Sequence, residues 1–331
     1  MKFKVAQFGL GKIGREITRL VLDRQRFELV GAIDKDENKV GSDLADLLGL
    51  SNPTGIKVTN DINEVLSKRP DLTFHSTVSE VSKAHSQLKK IINAGANIIS
   101  TSEELAYPYL QAPDLAEELD EKAKESGVTL FGTGINPGFA MDLLPLTFSG
   151  IARKLDRITV KRVQNASVRR RALQAKIGVG LSEEEFDEKV RQQGGHVGLI
   201  ESVSLVATGL GWQLDEIEDW TEPVIDESKI ETDYFVARPG ETRGIDQTAV
   251  GRVNGKEKVR LHLQMYVGAE NPVDEIHLEG IPEAKLRIPG GIHGDVATPA
   301  IAVNSTQKVL QESPGLLTLL DIYPYLYNFE R

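Results

Sequence analysis

The segment VAQFGLGKIGREI, residues 5–17, constrains the fold of this chain more than any other. It sets glycines at Gly9, Gly11 and Gly14 behind the apolar run KFKVAQFGL, which reads as a buried strand. The run GREITRLVLDRQ follows, with Ile17, Leu20, Val21 and Leu22 near helical spacing. FELVGAID is then a second strand ending at Asp34, twenty residues beyond Gly14. Strand, glycine turn, helix, strand and terminal acid form one compact βαβ unit. That context gives the G-x-G-x-x-G spacing its meaning. Gly9 permits the tight turn, Gly11 lets a ligand approach the backbone, and Gly14 lets helix and strand pack closely.

A helix opened this way presents unpaired N–H groups at Lys12, Ile13 and Gly14, a ready site for a pyrophosphate. Asp34 can accept both hydroxyls of an adenosine ribose, and its charge repels a 2′-phosphate. NAD is therefore the expected cofactor. Lys35 and Lys39 can each reach a phosphate, so NADP use is also expected.

The alternation continues. VTNDINEVLSKR is a short helix, PDLTFHSTVS a strand with a polar end, and KAHSQLKKIINAG a helix closing on Gly95. ANIISTSEEL is a strand, PDLAEELDEKAKESG a helix closing on Gly127, and VTLFGTGINPGF a strand entering a glycine-rich loop. Repeated β–α alternation predicts a parallel, doubly wound Rossmann sheet, with ligands at the carboxyl ends of its strands. Those ends carry Ser76, Thr77, Ser100, Thr101, Glu103, Glu104 and Asn136. The hydroxyl residues and Asn136 suit contacts with the nicotinamide half of a dinucleotide, or else cap the neighbouring helices and turns.

After Pro137 the texture changes. FAMDLLPLTFSGI reads as an apolar helix interrupted by Pro145, and SEEEFDEKVRQQGG opens with a capping box, Ser182 three residues before Glu185. HVGLIESVSLVATGLGW is an apolar helix. RITVKRVQNAS, IEDWTEPVI, TDYFVARPG, GIDQTAVGRVNG, EKVRLHLQMYVG, VDEIHLEG and AKLRIPG are of strand length, and GRVNGKEKVRLHL reads as a hairpin. Residues 141–290 are thus expected to form an α+β domain on a mixed open sheet, serving substrate binding and dimerisation. The tail GDVATPAIAVNSTQKVLQESPG is a helix with Pro299 in its early turns. It returns to the nucleotide domain in this reading, giving 1–140 plus 291–331. Asn304 on that helix is an expected cofactor contact.

Composition excludes several classes. With 331 residues and a net charge of −10, the chain lacks the basic face of a nucleic-acid binder; Arg169-Arg170-Arg171 is the local exception. No stretch approaches the ~20 apolar residues of a membrane span. The absence of cysteine excludes disulfides, thiolate metal sites and cysteine nucleophiles. No His–carboxylate spacing reads as a metal site. No signal-peptide core precedes the first strand, so a cytoplasmic address is expected.

The Rossmann start, the loop GTGINPGFAMDLLP and the late GDVATPAIAVN helix followed by SPGLLTLLD together resemble the dihydrodipicolinate-reductase-like oxidoreductases. Within them, STSEELAYP before GTGINPGF is similar to the 2,4-diaminopentanoate dehydrogenases and native amine dehydrogenases. The region VQNASVRRRALQAKIGVG lacks the paired histidines of the true reductases. The resemblance implies reversible NAD(P)-dependent oxidative deamination of an amine to a ketone or aldehyde plus ammonia. Such chemistry needs a base beside the nicotinamide, and a carboxylate is the economical choice among scattered histidines. Adjacent side chains of an extended segment point opposite ways, so one of Glu103 and Glu104 faces the substrate. Glu104 is the expected base and Glu103 its alternative. Phe139, Asn165, Arg169, Lys176 and His293 are expected substrate contacts. Other oxidoreductase chemistry on the same scaffold, or a non-catalytic NAD(P) sensor, are the competing readings. An uncovered sheet face in the second domain points to a homodimer.

Overall fold

The computed structural model describes residues 2–322, so the final stretch of the expected nucleotide domain, 323–331, lies outside the described residues. Along the chain come β1 (Phe3–Phe8), α1 (Lys12–Leu22), β2 (Phe27–Ile33), α2 (Leu44–Leu48), β3 (Val58–Thr59), α3 (Ile62–Leu66), β4 (Leu72–His75), α4 (Val81–Asn93), β5 (Asn97–Ser100), α5 (Pro113–Ser126) and β6 (Thr129–Gly132). Then follow α6 (Leu143–Ser149), β7 (Lys154–Asn165), α7 (Arg171–Lys176), α8 (Glu183–Lys189), α9 (Leu199–Gly209), β8 (Glu216–Ile225), β9 (Ile230–Glu231), β10 (Val236–Ala237), β11 (Thr242–Val253), β12 (Lys256–Tyr266), β13 (Val273–Ile281) and β14 (Ala284–Pro289). The described chain ends with α10 (Gly294–Val309), β15 (Gly315–Leu317) and α11 (Leu319–Ile322). Two compact units result: residues up to Ile135 together with Gly294–Ile322, and Asn136–His293.

The first unit is a seven-stranded parallel sheet in the order β15-β6-β5-β4-β1-β2-β3. The order reverses between β1 and β4, the switch point that opens a crevice beyond the strand ends. Helix α4 shows how sequence drives the layering. Its Val81, Ala84, Leu88, Ile91 and Ile92 recur at helical spacing and are all buried against the sheet. Each larger side chain contributes about 1.5–3 kcal/mol. Helix α5 begins on Pro113 and stops at left-handed Gly127, as its sequence predicts.

Helix α10 packs on α1, and the two run the same way. Lys12 at the start of α1 pairs with Asp295 at the start of α10, 3.3 Å apart. Arg24 just past the end of α1 donates to Asn304 Oδ1 at 2.9 Å. Pro299 falls in the second turn of α10 without ending it.

The second unit is built on a six-stranded mixed sheet in the order β14-β13-β7-β12-β11-β8. Only the β7–β12 pairing is parallel. The β11–β12 hairpin turns on Asn254 and Gly255, both at positive φ, as the Asn-Gly sequence predicts. The α8 capping box of Ser182 and Glu185 is present. Two expectations need correction. Pro145 does not interrupt a helix: α6 starts only at Leu143, so the proline sits in the first turn, where its missing N–H costs nothing. TDYFVARPG is not a full strand. Only Val236–Ala237 pairs, with Ile230–Glu231, because the Arg238–Gly240 turn ends the extension.

One face of this sheet packs under α9, where Val203 meets Gly251. Ile158, Val160, Leu261, Leu263, Ile276 and Leu278 are buried along its strands. The core is not wholly apolar. Arg162 and Asp274, each 2% exposed, form an ion pair in which Arg162 Nη1 donates to both carboxylate oxygens at 2.6 Å. Arg162 also donates to the Ile292 carbonyl, and Asp274 accepts the Ile292 N–H. The pair therefore ties β7, β13 and the 290–293 loop. Removing one partner strands the other charge in the interior. Asp274→Ala should lower the unfolding free energy by about 3–5 kcal/mol, whereas replacing both residues with apolar ones should cost far less. Denaturant midpoints at constant slope test this; an Asp274→Ala loss below about 1 kcal/mol would show that the pair does not hold the fold.

Candidate active site

The glycine turn is held from three strands. Gly9 lies at φ +90°, a conformation L side chains avoid, and a Cβ on Gly14 would collide with the Gly9 carbonyl. Gln7 Nε2 donates to the Gly9 carbonyl at 2.9 Å and to Ser76 Oγ at 2.8 Å. Ser76 Oγ in turn donates to the Gly9 carbonyl at 3.0 Å. The N-cap of α1 is Gly11, which supplies no side-chain cap, and a Cβ there would enter open space. An uncapped helix N-terminus approached by bare backbone fits a dinucleotide pyrophosphate.

Asp34 closes the turn from β2. It accepts the N–H of Leu10 at 2.7 Å, that of Asp36 at 2.9 Å and the Lys39 ammonium at 2.9 Å. Burial pushes the Asp34 carboxyl up, but these three donors outweigh it and hold the group below its usual range. Lys39 is thus placed on Asp34. Lys35 is exposed.

Glu104 opens a 3-10 turn, Glu104–Ala106, just past β5. Gly132 makes this possible, since a Cβ there would strike the Leu105 backbone. The Glu104 N–H donates to the Ser79 carbonyl at 3.2 Å, and its Oε2 accepts the Val81 N–H at 2.7 Å. The carboxylate thus caps α4 from outside. Burial raises its pKa, opposed by the Val81 N–H; Glu80 and Glu103 push the same way as burial, and Lys83 opposes them. Glu103 is half-buried at the N-cap of the same turn.

Several expected cofactor contacts are placed differently. Ser100 is fully buried, its hydroxyl bonded to His75 and to the Ser102 N–H, so it offers nothing to a ligand. The Ser76 and Thr77 hydroxyls are engaged within the fold, Thr77 with His75 and Gln87. Thr101 is half-buried, its N–H bonded to the His75 carbonyl. Asn304 must be withdrawn as a cofactor contact: it binds Arg24, beyond the end of α1 opposite the glycine turn. Asp295 is the residue of α10 at that turn, paired with Lys12. Helical periodicity revealed α10 but not the direction in which it packs.

In the second unit Asn136 is buried, yet neither amide atom finds a hydrogen-bond partner among the described residues. Orphaned buried amides are rare. Asp142 anchors the same loop: fully buried, it accepts the N–H groups of Gly138 and Leu143 and the Ser202 hydroxyl. Phe139 is half-buried in that loop. Arg169 is buried while Arg171 is exposed. Burial, then the positive charges of Lys176, Arg162 and Arg169, push the His196 imidazole down to about 3, so these groups form one basic cluster. Lys176 and His293 are exposed. Asn165 is spent on structure, bonding the Ala269 carbonyl and the Ser167 N–H. His196 and Asp142 escaped the sequence reading because their partners lie on distant segments. Among the described residues, no group of histidines and carboxylates is placed to hold a metal, and no helix is long and apolar enough to cross a membrane.

Residues 139–325 match the model of the 2,4-diaminopentanoate dehydrogenase C-terminal domain, and residues 3–102 that of the dihydrodipicolinate reductase N-terminus. The 2,4-diaminopentanoate dehydrogenase of Acetoanaerobium sticklandii is 32% identical over 97% of this chain and 93% of its own length. An amine dehydrogenase of Streptomyces virginiae is 24% identical, covering 95% and 94% of the two chains. The amine dehydrogenase structure from Mycobacterium smegmatis is similar at a TM-score of 0.88 and 26% identity, over 99% of this chain and 98% of that one.

The Asp34 geometry yields a test. Asp34→Ser removes a hydroxyl acceptor and a negative charge, and releases Lys39. The ratio of kcat/KM for NADP over NAD should rise at least tenfold. An unchanged ratio in a folded variant would remove Asp34 as the cofactor selector.

Proposed function

Because the chain belongs to the 2,4-diaminopentanoate dehydrogenase family, we propose that Glu104 serves as its general base in the NAD(P)-dependent interconversion of an amine and a carbonyl compound. The chain is an NAD(P)-dependent oxidoreductase acting on CH–NH2 groups. The cofactor supplies the hydride chemistry when bound. Lys12, Ile13 and Gly14 offer backbone N–H groups to its pyrophosphate, Asp34 takes the adenosine ribose, and Asn136 takes a polar group of ligand or water. Glu104 accepts a proton from the substrate ammonium, giving the neutral amine from which oxidation can proceed. That proton passes on to solvent, so the carboxylate is ionised again when it accepts a proton from the water that adds to the imine carbon, a proton it then returns to the departing ammonia. In the reverse direction it activates ammonia against the carbonyl. The observation carrying this reading is the half-buried Glu104 carboxylate, fixed by one backbone N–H and raised by burial. Such a group is a stronger base than a solvated carboxylate.

Arg169 and Lys176 are proposed to receive a substrate carboxylate, as in an amino acid such as 2,4-diaminopentanoate, with Phe139 and His293 as further contacts. The ammonia partner follows from the same chemistry.

A second copy of this chain is the proposed occupant of the face of the mixed sheet opposite α9. Across that face Trp220, Thr248, His262, Lys161, Glu275 and Arg287 stand in one row, alternating in sign at its far end. A two-fold axis can set Lys161 of one copy against Glu275 of the other. Light scattering should give twice the chain mass at micromolar concentration; a monomer mass would overturn the assignment.

Glu104→Gln keeps the side-chain shape but cannot take a proton. Amine turnover should fall about 10²–10⁴-fold with NADH affinity little changed. The base works only when ionised, so wild-type kcat/KM should drop as pH falls through a value above the ordinary ~4.3 of glutamate. Near-normal turnover in Glu104→Gln would refute the base assignment. Loss confined to Glu103→Gln would move it one residue.

A further inference from the structure

His75 lies at the end of β4, with no exposed surface. Its ring meets Phe8 edge-on, with centroids 5.6 Å apart. Each ring nitrogen has a partner on a different segment. Nδ1 is 2.9 Å from Ser100 Oγ on β5. Nε2 is 2.9 Å from Gln87 Oε1 on α4 and 2.9 Å from Thr77 Oγ1. Burial pushes the imidazole down to about 4, so the ring is neutral at working pH.

The partners fix the tautomer. Gln87 Oε1 already accepts the Thr77 hydroxyl at 2.9 Å and has no proton to give. The proton between it and the ring must therefore sit on Nε2. Nδ1 is then an acceptor, and Ser100 Oγ–H donates to it. Ser100 Oγ in turn accepts the Ser102 N–H at 3.1 Å. Ser102 Oγ donates to the Ser79 carbonyl at 2.8 Å, the same carbonyl that accepts the Glu104 N–H. The chain of bonds thus runs from α4 through one imidazole to the backbone of Glu104, and α4 also offers the Val81 N–H to that carboxylate.

We infer that His75 is a positioning residue for Glu104: its neutral, Nε2-protonated ring fixes the segment from Ser100 to Glu104 against the start of α4, and so sets the depth at which the carboxylate is held. The inference rests on the reading of Glu104 as the base. An imidazole can join a donor on one side and an acceptor on the other across three segments. An apolar residue of the same size fills the space but joins none of them.

The test uses His75→Leu, His75→Asn and Ser100→Ala in the full chain, with melting temperature and NADH affinity as checks of fold. In His75→Leu the unanchored segment should admit water to Glu104. Its kcat should fall roughly tenfold to a hundredfold, as expected for a small misplacement of a reacting group. The acid limb of the kcat–pH profile should also move to lower pH. Glu80, Lys83 and Glu103, the other charges acting on Glu104, are unchanged in these variants. Asparagine places an amide oxygen near the Nδ1 position, so His75→Asn should recover part of the rate and of the acid limb. Ser100→Ala, which leaves only a small void, should move both in the same direction as His75→Leu. A folded His75→Leu with wild-type kcat and acid limb overturns the inference, as does a His75→Asn no better than His75→Leu. If His75→Leu fails to fold, Ser100→Ala decides by the same two readouts. Glu104→Gln measured alongside separates the failures. If that variant stays active, the base assignment falls and the inference with it. If it is inactive while the His75 and Ser100 variants behave as wild type, the inference alone falls.

Discussion

The close approach of Gly14 to the Gly9 carbonyl is the contact on which the nucleotide-binding unit depends. With no side chain between them, α1 starts directly against the turn that follows β1. Gln7, Ser76 and Asp34 then converge on one turn from β1, β4 and β2. The turn is over-determined, as a strained left-handed residue must be if it is to persist. Rigidity here has a chemical consequence. A pyrophosphate bound there, as proposed, would meet backbone N–H groups whose directions are already fixed, so little ordering would remain on binding.

Glu104 shows a second economy. One carboxylate caps α4 through the Val81 N–H just past the end of β5, and the same group is the one proposed as the base. The two roles pull its proton affinity in opposite directions: the N–H favours the anion, whereas burial favours the acid. A carboxylate held in this way keeps more affinity for a proton than a solvated one. The mixed sheet divides its labour by face. Its packed side holds the core and the buried Arg162–Asp274 pair. On its open side Arg157, Arg252, Glu257 and Arg260 form linked ion pairs across β7, β11 and β12. Single exposed pairs of this kind add little to stability, but a network constrains which surface can match it.

Much of this was legible in the residues. The glycine spacing, the order of strands and helices, the Asn-Gly hairpin and the capping box are local signals and appear where their patterns predict, whereas the strand expected over 96–105 stops at Ser100 and gives way to a 3-10 turn. The position of Glu103 and Glu104 just past the end of a parallel strand was legible too. What escaped is long-range. Ser100 looks like a ligand contact when read beside Thr101, yet a histidine twenty-five residues away claims its hydroxyl. Asn304 looks favourable on its helix, but the direction of packing puts it at the wrong end of α1. Asp142 reads as an ordinary acid until Ser202 and the Gly138 N–H are seen to enclose it. Periodicity assigns a residue to a face, but not the partner that face will meet.

The outermost strand of the parallel sheet, β15, pairs with β6, although nearly two hundred residues of chain separate them. Helix α10, which covers α1, belongs to the same late segment. During synthesis the sheet therefore emerges with β6 as an open edge and α1 without its neighbour. At about 5–20 residues per second, that state lasts on the order of ten seconds or more. Throughout it the β6 backbone offers unpaired hydrogen-bonding groups to any other extended segment. The nascent chain must pass through this interval shielded or slow to aggregate, and its nucleotide-binding unit is completed only once β15 has emerged.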